Sequence, residues 1–123
     1  MFGWLSSRGA AGTARPQAPA PTDIDPQALQ QALAAPRPPL LLDVRSPGEY
    51  AEGHIPGARL IPLPQLGGRI GELPTDRPIV CVCRSGGRSG VATHQLRARG
   101  LQVRNMRGGM LQWHGPVATG PAD

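Results

Sequence analysis

Residues 81–90 read Cys81-Val82-Cys83-Arg84-Ser85-Gly86-Gly87-Arg88-Ser89-Gly90 and bring together the chain's only two thiols, two arginines and three glycines. A cysteine in such company can serve as a nucleophile. The thiolate is the reactive species, and neighbouring positive charge or a helix N-terminus favours it. Adjacent glycines open backbone conformations barred to other residues. The loop can then turn its N–H groups toward one point and cradle an anion. Arg84 and Arg88 would add positive charge at the mouth. The pattern suits a Cys83 thiolate attacking an anionic substrate. Cys81 reads as a packing thiol, with a resolving thiol as the alternative. In an extended strand the two side chains stand on one side about 6.5–7 Å apart, too far for a disulfide. Cys81, Cys83, His54, His94 and His114 lack the spacing of a zinc site, and no metal or cofactor is expected.

The elements that must position Cys83 follow from the surrounding pattern. Asp25 and Pro26 predict an N-cap and first helical residue, and Ala28, Leu29, Ala32 and Leu33 repeat at helical spacing. A helix is expected over 26–35, broken by Pro36 to Pro39. Leu40 to Arg45 reads as a buried strand ending in charge. Ser46-Pro47-Gly48-Glu49 is a capping box opening a turn of helix to about Glu52. A turn over 53–57, a short strand at 58–61 and a broken helix over 64–71 follow. Pro78 to Val82 is the second clear strand. A helix is expected from Ser89 or Gly90 to Arg99, stopped by Gly100. A third strand is expected at 101–103, Gly108-Gly109 punctuates, and Met110 to Trp113 forms a last helical turn. Strands alternating with helices predict an α/β domain with a mostly parallel sheet, whose ligands sit at the carboxyl ends of strands. Both clear strands end in polar chemistry, one at Asp43 and Arg45, the other at Cys83.

Composition bounds the rest. A chain of 123 residues fits one domain and can bury a core without disulfides. The net charge is +5, with every basic residue an arginine, which favours anionic partners. The arginines are scattered without interleaved aromatics, so no nucleic-acid module is expected. No apolar run approaches the roughly 20 residues of a membrane span. Residues 1–21 read as a disordered Ala/Pro-rich tail, 22–118 as the domain and 119–123 as a short C-terminal tail. Two thiols with no disulfide framework fit a reducing compartment, so a cytoplasmic location is expected.

Five separated motifs then occur in one order: Leu41-Leu42-Asp43-Val44-Arg45, Glu49-Tyr50, Gly53-His54-Ile55-Pro56-Gly57-Ala58, Cys83 to Ser89, and Gly108-Gly109 with Trp113. Together they resemble a single-domain rhodanese over residues 23 to 117. The resemblance implies a rhodanese-like three-layer α/β domain with a central, mostly parallel sheet flanked by helices. It implies a sulfurtransferase that takes sulfane sulfur from thiosulfate or a persulfide donor as a Cys83 persulfide, then passes it to cyanide or a thiol. Carried onto this chain, Cys83 is the nucleophile and Arg84, Ser85, Gly86, Gly87, Arg88 and Ser89 form the substrate-binding loop. Asp43 and Arg45 resemble the strand-end pair that braces that loop, with a purely structural ion pair as the alternative. A protein sulfur acceptor is a further partner the resemblance allows, as sulfur relay or as a non-catalytic interaction domain. Four residues separate Cys83 from Arg88, whereas cysteine phosphatases carry five, and the shorter loop suits a sulfur atom better than a phosphoryl group. His54 reads as a structural hydrogen-bonding group, His94 and His114 as surface or satisfied groups, and Trp113 as a core anchor.

Overall fold

A computed structural model of the protein describes residues 22–122. The expected tail over 1–21 and the final Asp123 lie outside the described residues. Along the chain come β1 (Asp23–Ile24), α1 (Pro26–Leu33), β2 (Leu40–Asp43), α2 (Pro47–Glu52), β3 (Arg59–Leu60), α3 (Leu63–Leu66), a 3-10 turn (Gly67–Glu72), β4 (Ile79–Val82), α4 (Gly87–Arg97), β5 (Val103–Met106) and a second 3-10 turn (Gly109–Gln112). The strands form one five-stranded sheet in the order β1-β5-β4-β2-β3, with every pair parallel.

The near-continuous apolar character of β2 and β4 follows from burial on both faces. Successive side chains point to opposite sides of a strand. Leu41, Val80 and Val82 therefore pack with Leu29 of α1, Tyr50 of α2, Met106 and Trp113. Leu42, Ile79, Cys81 and Cys83 pack on the other face with Leu66 of α3 and Ala92 and Leu96 of α4. The result is the three-layer α/β arrangement the sequence implies. β4 is the central strand, and the chain leaves its carboxyl end at Cys83, beneath the start of α4.

Several boundaries differ from the sequence reading, each for a local reason. β1 was not foreseen. It forms because Asn105 N–H donates to Thr22 O at 2.7 Å and Arg107 N–H to Ile24 O at 2.9 Å, an edge pairing no two-residue pattern reveals. β5 begins at Val103 rather than 101, since Leu101 N–H still serves the end of α4 through Leu96 O. α4 begins at Gly87, because Gly90 N–H donates to Gly86 O at 2.9 Å. Arg88 and Ser89 thus belong to its first turn. α1 ends at Leu33, and its N-cap residue Asp25 makes no side-chain cap. The capping box at Ser46 and Glu49 is present with both reciprocal bonds, and 63–72 is the broken helix expected there. Near the C-terminus, Ala118 bridges His54, and Gly120 N–H donates to Ala51 O at 2.9 Å.

Leu42 is 0% exposed at the middle of the sheet. Leu42→Ala is expected to cost about 2–5 kcal/mol of unfolding free energy, read by denaturant titration.

Candidate active site

Cys83 is the first residue past β4. Four donors converge on its sulfur from the loop and the first turn of α4. Gly86 N–H donates to Sγ at 3.1 Å, the Ser89 hydroxyl lies 3.2 Å from Sγ, and the N–H groups of Ser85 and Ser89 also reach it. Burial pushes the Cys83 thiol up, but these hydrogen bonds outweigh it and hold the group below its ordinary 9.0. Cys81 experiences the opposite. Burial in the core pushes its thiol up to about 12, against a smaller lowering by the Thr93 hydroxyl. Of the two thiols, Cys83 is the one whose surroundings favour the thiolate.

The N–H groups face sulfur because the loop's carbonyls are held on the other side. Met110 N–H donates to Cys83 O at 2.8 Å, and Leu111 N–H to Arg84 O at 3.0 Å. The second 3-10 turn therefore clamps the strand end and the start of the loop from outside. That contact requires glycine at 109. Its φ is +63°, and a Cβ there would lie 2.4 Å from both the Arg84 carbonyl carbon and its oxygen. Gly86, at φ +102°, makes the left-handed turn that aims its own N–H at Sγ. Gly87 opens α4 instead of completing the turn.

Arg88 is oriented by Glu49 through a two-pronged pair, Nη1 to Oε1 at 2.7 Å and Nη2 to Oε2 at 2.8 Å. The Arg88 guanidinium, assisted by the Ser46 bonds of the capping box and opposed by partial burial, holds the Glu49 carboxyl at about 2, against its ordinary 4.5. The capping box of α2 thereby fixes the far end of the loop. Arg84 and Ser85 are exposed at the mouth.

The other expected site residues lie close by, with different contacts. Asp43 and Arg45 form a buried fork at the end of β2, with Arg45 Nη2 donating to Asp43 Oδ2 at 2.7 Å and Nε to Oδ1 at 3.0 Å. Arg45 Nη2 also donates to Gly53 O at 2.8 Å. These bonds tie β2 to the turn after α2 rather than to residues 84–88. Asp43 reaches the loop only through its field on Arg88. In the same turn His54 Nδ1 donates to Tyr50 O at 2.7 Å, and its ring stacks on Tyr50 at 3.7 Å. Trp113 is buried on the α1/α2 face. Among the described residues no group of three or more His, Cys, Asp or Glu side chains could hold a metal ion, and no helix is long and apolar enough to cross a membrane.

Three contributors escaped the sequence reading in these roles: Glu49 as partner of Arg88, Gly109 as the clamp's close contact, and Asn105. Asn105 Nδ2 donates to Gly86 O at 3.1 Å, and its Oδ1 accepts from the Ser89 hydroxyl at 2.5 Å. Glu49 and Gly109 stood in recognised motifs, and only the tertiary contact was hidden. Asn105 carried no signal.

Comparison with known proteins bears on the family and the fold. A family model described as Rhodanese-like domain matches residues 25–116. A sulfurtransferase of Allochromatium vinosum is 41% identical over 102 residues, covering 80% of this chain and 95% of that one. The solved structure of a rhodanese-like domain protein from Staphylococcus aureus superposes with a TM-score of 0.76 at 29% identity, covering 80% of this chain and 97% of that one. A thiosulfate sulfurtransferase from Pseudomonas aeruginosa matches with a TM-score of 0.72 at 31% identity, covering 94% of this chain but 22% of that longer one.

Two outcomes test this construction. Gly109→Ala forces the loop backbone away and is expected to lower unfolding free energy by about 1–3 kcal/mol. Gly48→Ala, whose Cβ would meet nothing within 4 Å, should change it by under about 0.5 kcal/mol. The lowered Glu49 carboxyl stabilises the fold above its ordinary 4.5, and that contribution is lost as pH falls toward 2. Because both partners are about a third or more exposed, Glu49→Gln should cost under about 1 kcal/mol at neutral pH. Denaturant titrations should show the gap narrowing as the solution is acidified below pH 4.5.

Proposed function

The chain belongs to the rhodanese-like domain family, and from that premise we propose that it is a sulfurtransferase working through a Cys83 persulfide. The observation that carries the reading is the set of donors aimed at one sulfur, Gly86 N–H at 3.1 Å and the Ser89 hydroxyl at 3.2 Å among them. Such donors stabilise a thiolate before reaction and a sulfur anion after it, without reorganising during the step.

The Cys83 thiolate attacks the outer sulfur of thiosulfate, or the sulfane sulfur of a persulfide donor. The new S–S bond forms as the donor's bond to that sulfur breaks, and sulfite or the donor thiolate leaves with the electron pair. Negative charge then rests on the outer sulfur of the Cys83 persulfide, held by the inward N–H groups of the loop over residues 84–88. Cyanide or a thiol attacks that outer sulfur. The S–S bond breaks, the acceptor carries the sulfur away, and the Cys83 thiolate returns. Arg84, exposed at the mouth, attracts the anionic donor. Arg88 has its charge largely answered by Glu49 and acts by closing the loop. Asp43 and Arg45 support the site through the Gly53 turn. Cys81 stays protonated in the core and takes no sulfur. The thiolate chemistry suits a reducing compartment such as the cytoplasm.

A second reading, delivery of the sulfur to a protein acceptor, is favoured by the rim. Leu111 is 56% exposed, and its N–H is bonded to the carbonyl of the exposed Arg84. This places an apolar contact beside a charged one at the mouth. A binding domain without catalysis requires neither a thiol nor converging donors at this position.

Thiosulfate treatment of the reduced protein is expected to add the mass of one sulfur in wild type and in Cys81→Ser, and none in Cys83→Ser. Cyanide should then remove it as thiocyanate. Sulfur retained on Cys83→Ser, or no sulfur on wild type with either thiosulfate or a persulfide donor, contradicts the proposal.

A further inference from the structure

The Ser89 hydroxyl has one proton and two claimants. Sγ of Cys83 lies 3.2 Å from its oxygen and Asn105 Oδ1 lies 2.5 Å from it. The orientation of the Asn105 amide follows from chemistry. Gly86 O is an acceptor only, so the nitrogen end of the amide must face it, as the 3.1 Å contact requires. The oxygen end is then committed to Ser89. Asn105 is thus bonded to two of the three residues whose donors reach the sulfur, Gly86 and Ser89. Its amide also packs against α4, where a Cβ at Gly90 would meet Nδ2 at 3.4 Å.

In the protonated form, S–H donates to Ser89 Oγ and the hydroxyl donates to Asn105, and every group is satisfied. In the thiolate form both neighbours of the hydroxyl are acceptors. The hydroxyl then has one proton for two acceptors, and giving it to sulfur leaves Oδ1 without it. Once a persulfide forms, Sγ is bonded to two atoms and neutral, the charge has moved to the outer sulfur, and the hydroxyl can return to Asn105. We propose that Asn105 is a positioning residue for sulfur transfer. It holds the Gly86 carbonyl and competes for the Ser89 proton, so that Ser89 donates to Sγ while Sγ is charged and lets go when the charge moves outward. The role in transfer rests on the sulfurtransferase reading, whereas the competition itself is a property of the reduced protein.

The competition is tested by a double-mutant cycle on reduced protein. The midpoint of Cys83 alkylation by iodoacetamide is measured against pH in wild type, Ser89→Ala, Asn105→Ala and the double variant. Loosening of the Gly86 carbonyl contributes equally with and without Ser89 and cancels. Freeing the hydroxyl contributes only when Ser89 is present. Asn105→Ala should therefore shift the midpoint lower by about one pH unit more in the presence of Ser89 than in its absence, the worth of one hydrogen bond to a charged group. Additive shifts, or coupling of the opposite sign, overturn the proposal. Asn105→Asp provides a second cycle should Asn105→Ala not fold. Its stronger acceptor should raise the midpoint more with Ser89 than without it, and equal shifts again overturn the proposal. The other ionisable groups that act on the site, Arg88 with its partner Glu49, Asp43 on β2 and Cys81 on β4, are the same in every arm. Sulfur uptake by the same wild-type preparation separates the two claims. Uptake without coupling sinks the role of Asn105 alone, and coupling without uptake sinks the transferase reading, and with it the role in transfer, while the competition for the proton stands.

Discussion

The site depends on where two carbonyl groups point. A peptide unit is planar and carries its N–H and C=O on opposite sides. Fixing the carbonyls of Cys83 and Arg84 on the outside, through Met110 N–H at 2.8 Å and Leu111 N–H at 3.0 Å, sets the path of the chain over the sulfur. The next turns of the loop can then bring their N–H groups inward. The close approach of Gly109 makes that outside contact possible, and the left-handed Gly86 completes the inward turn. The binding group is thus the backbone itself, and side chains act mainly by fixing it.

The same local order explains why two thiols one residue apart differ so much. Both side chains fall on the same face of the sheet, and both belong to the same apolar cluster. Cys81 ends there, pushed up to about 12 by burial. Cys83 reaches the strand end, where hydrogen bonds from Ser89, Gly86 and Ser85 outweigh the penalty of burial. Position relative to the carboxyl edge of β4 decides which thiol can carry charge. Around that edge the ion pairs divide their work. Glu49 with Arg88 closes the loop, and Asp43 with Arg45 joins β2 to the Gly53 turn.

Most of this frame was legible because it is local. The apolar runs of β2 and β4, the capping box at Ser46 and the glycine pair after Cys83 are written in consecutive residues. The family resemblance over 23–117 agrees with the matched domain at 25–116. The parts that escaped are tertiary. Asn105 sits beside Cys81 across the sheet, but the strand was read as ending at 103, so its side chain had no assigned place. Gly109 was seen as punctuation, since nothing in a sequence shows that Arg84 lies 2.4 Å from where its Cβ would be. Glu49 was read as a cap and is one, while its second bond crosses 39 positions to Arg88. The start of α4 was placed late because glycine disfavours helix interiors, whereas here it supplies the first turn.

The central claim is that backbone and hydroxyl donors favour the Cys83 thiolate, holding the thiol below its ordinary value despite burial. Direct titration of the wild-type thiolate by its ultraviolet absorbance tests this, with Cys83→Ser as the blank to remove Cys81. The account predicts a single transition with a midpoint below the ordinary 9.0 of a thiol. A midpoint at or above 9.0 would mean that burial dominates the site and would contradict it.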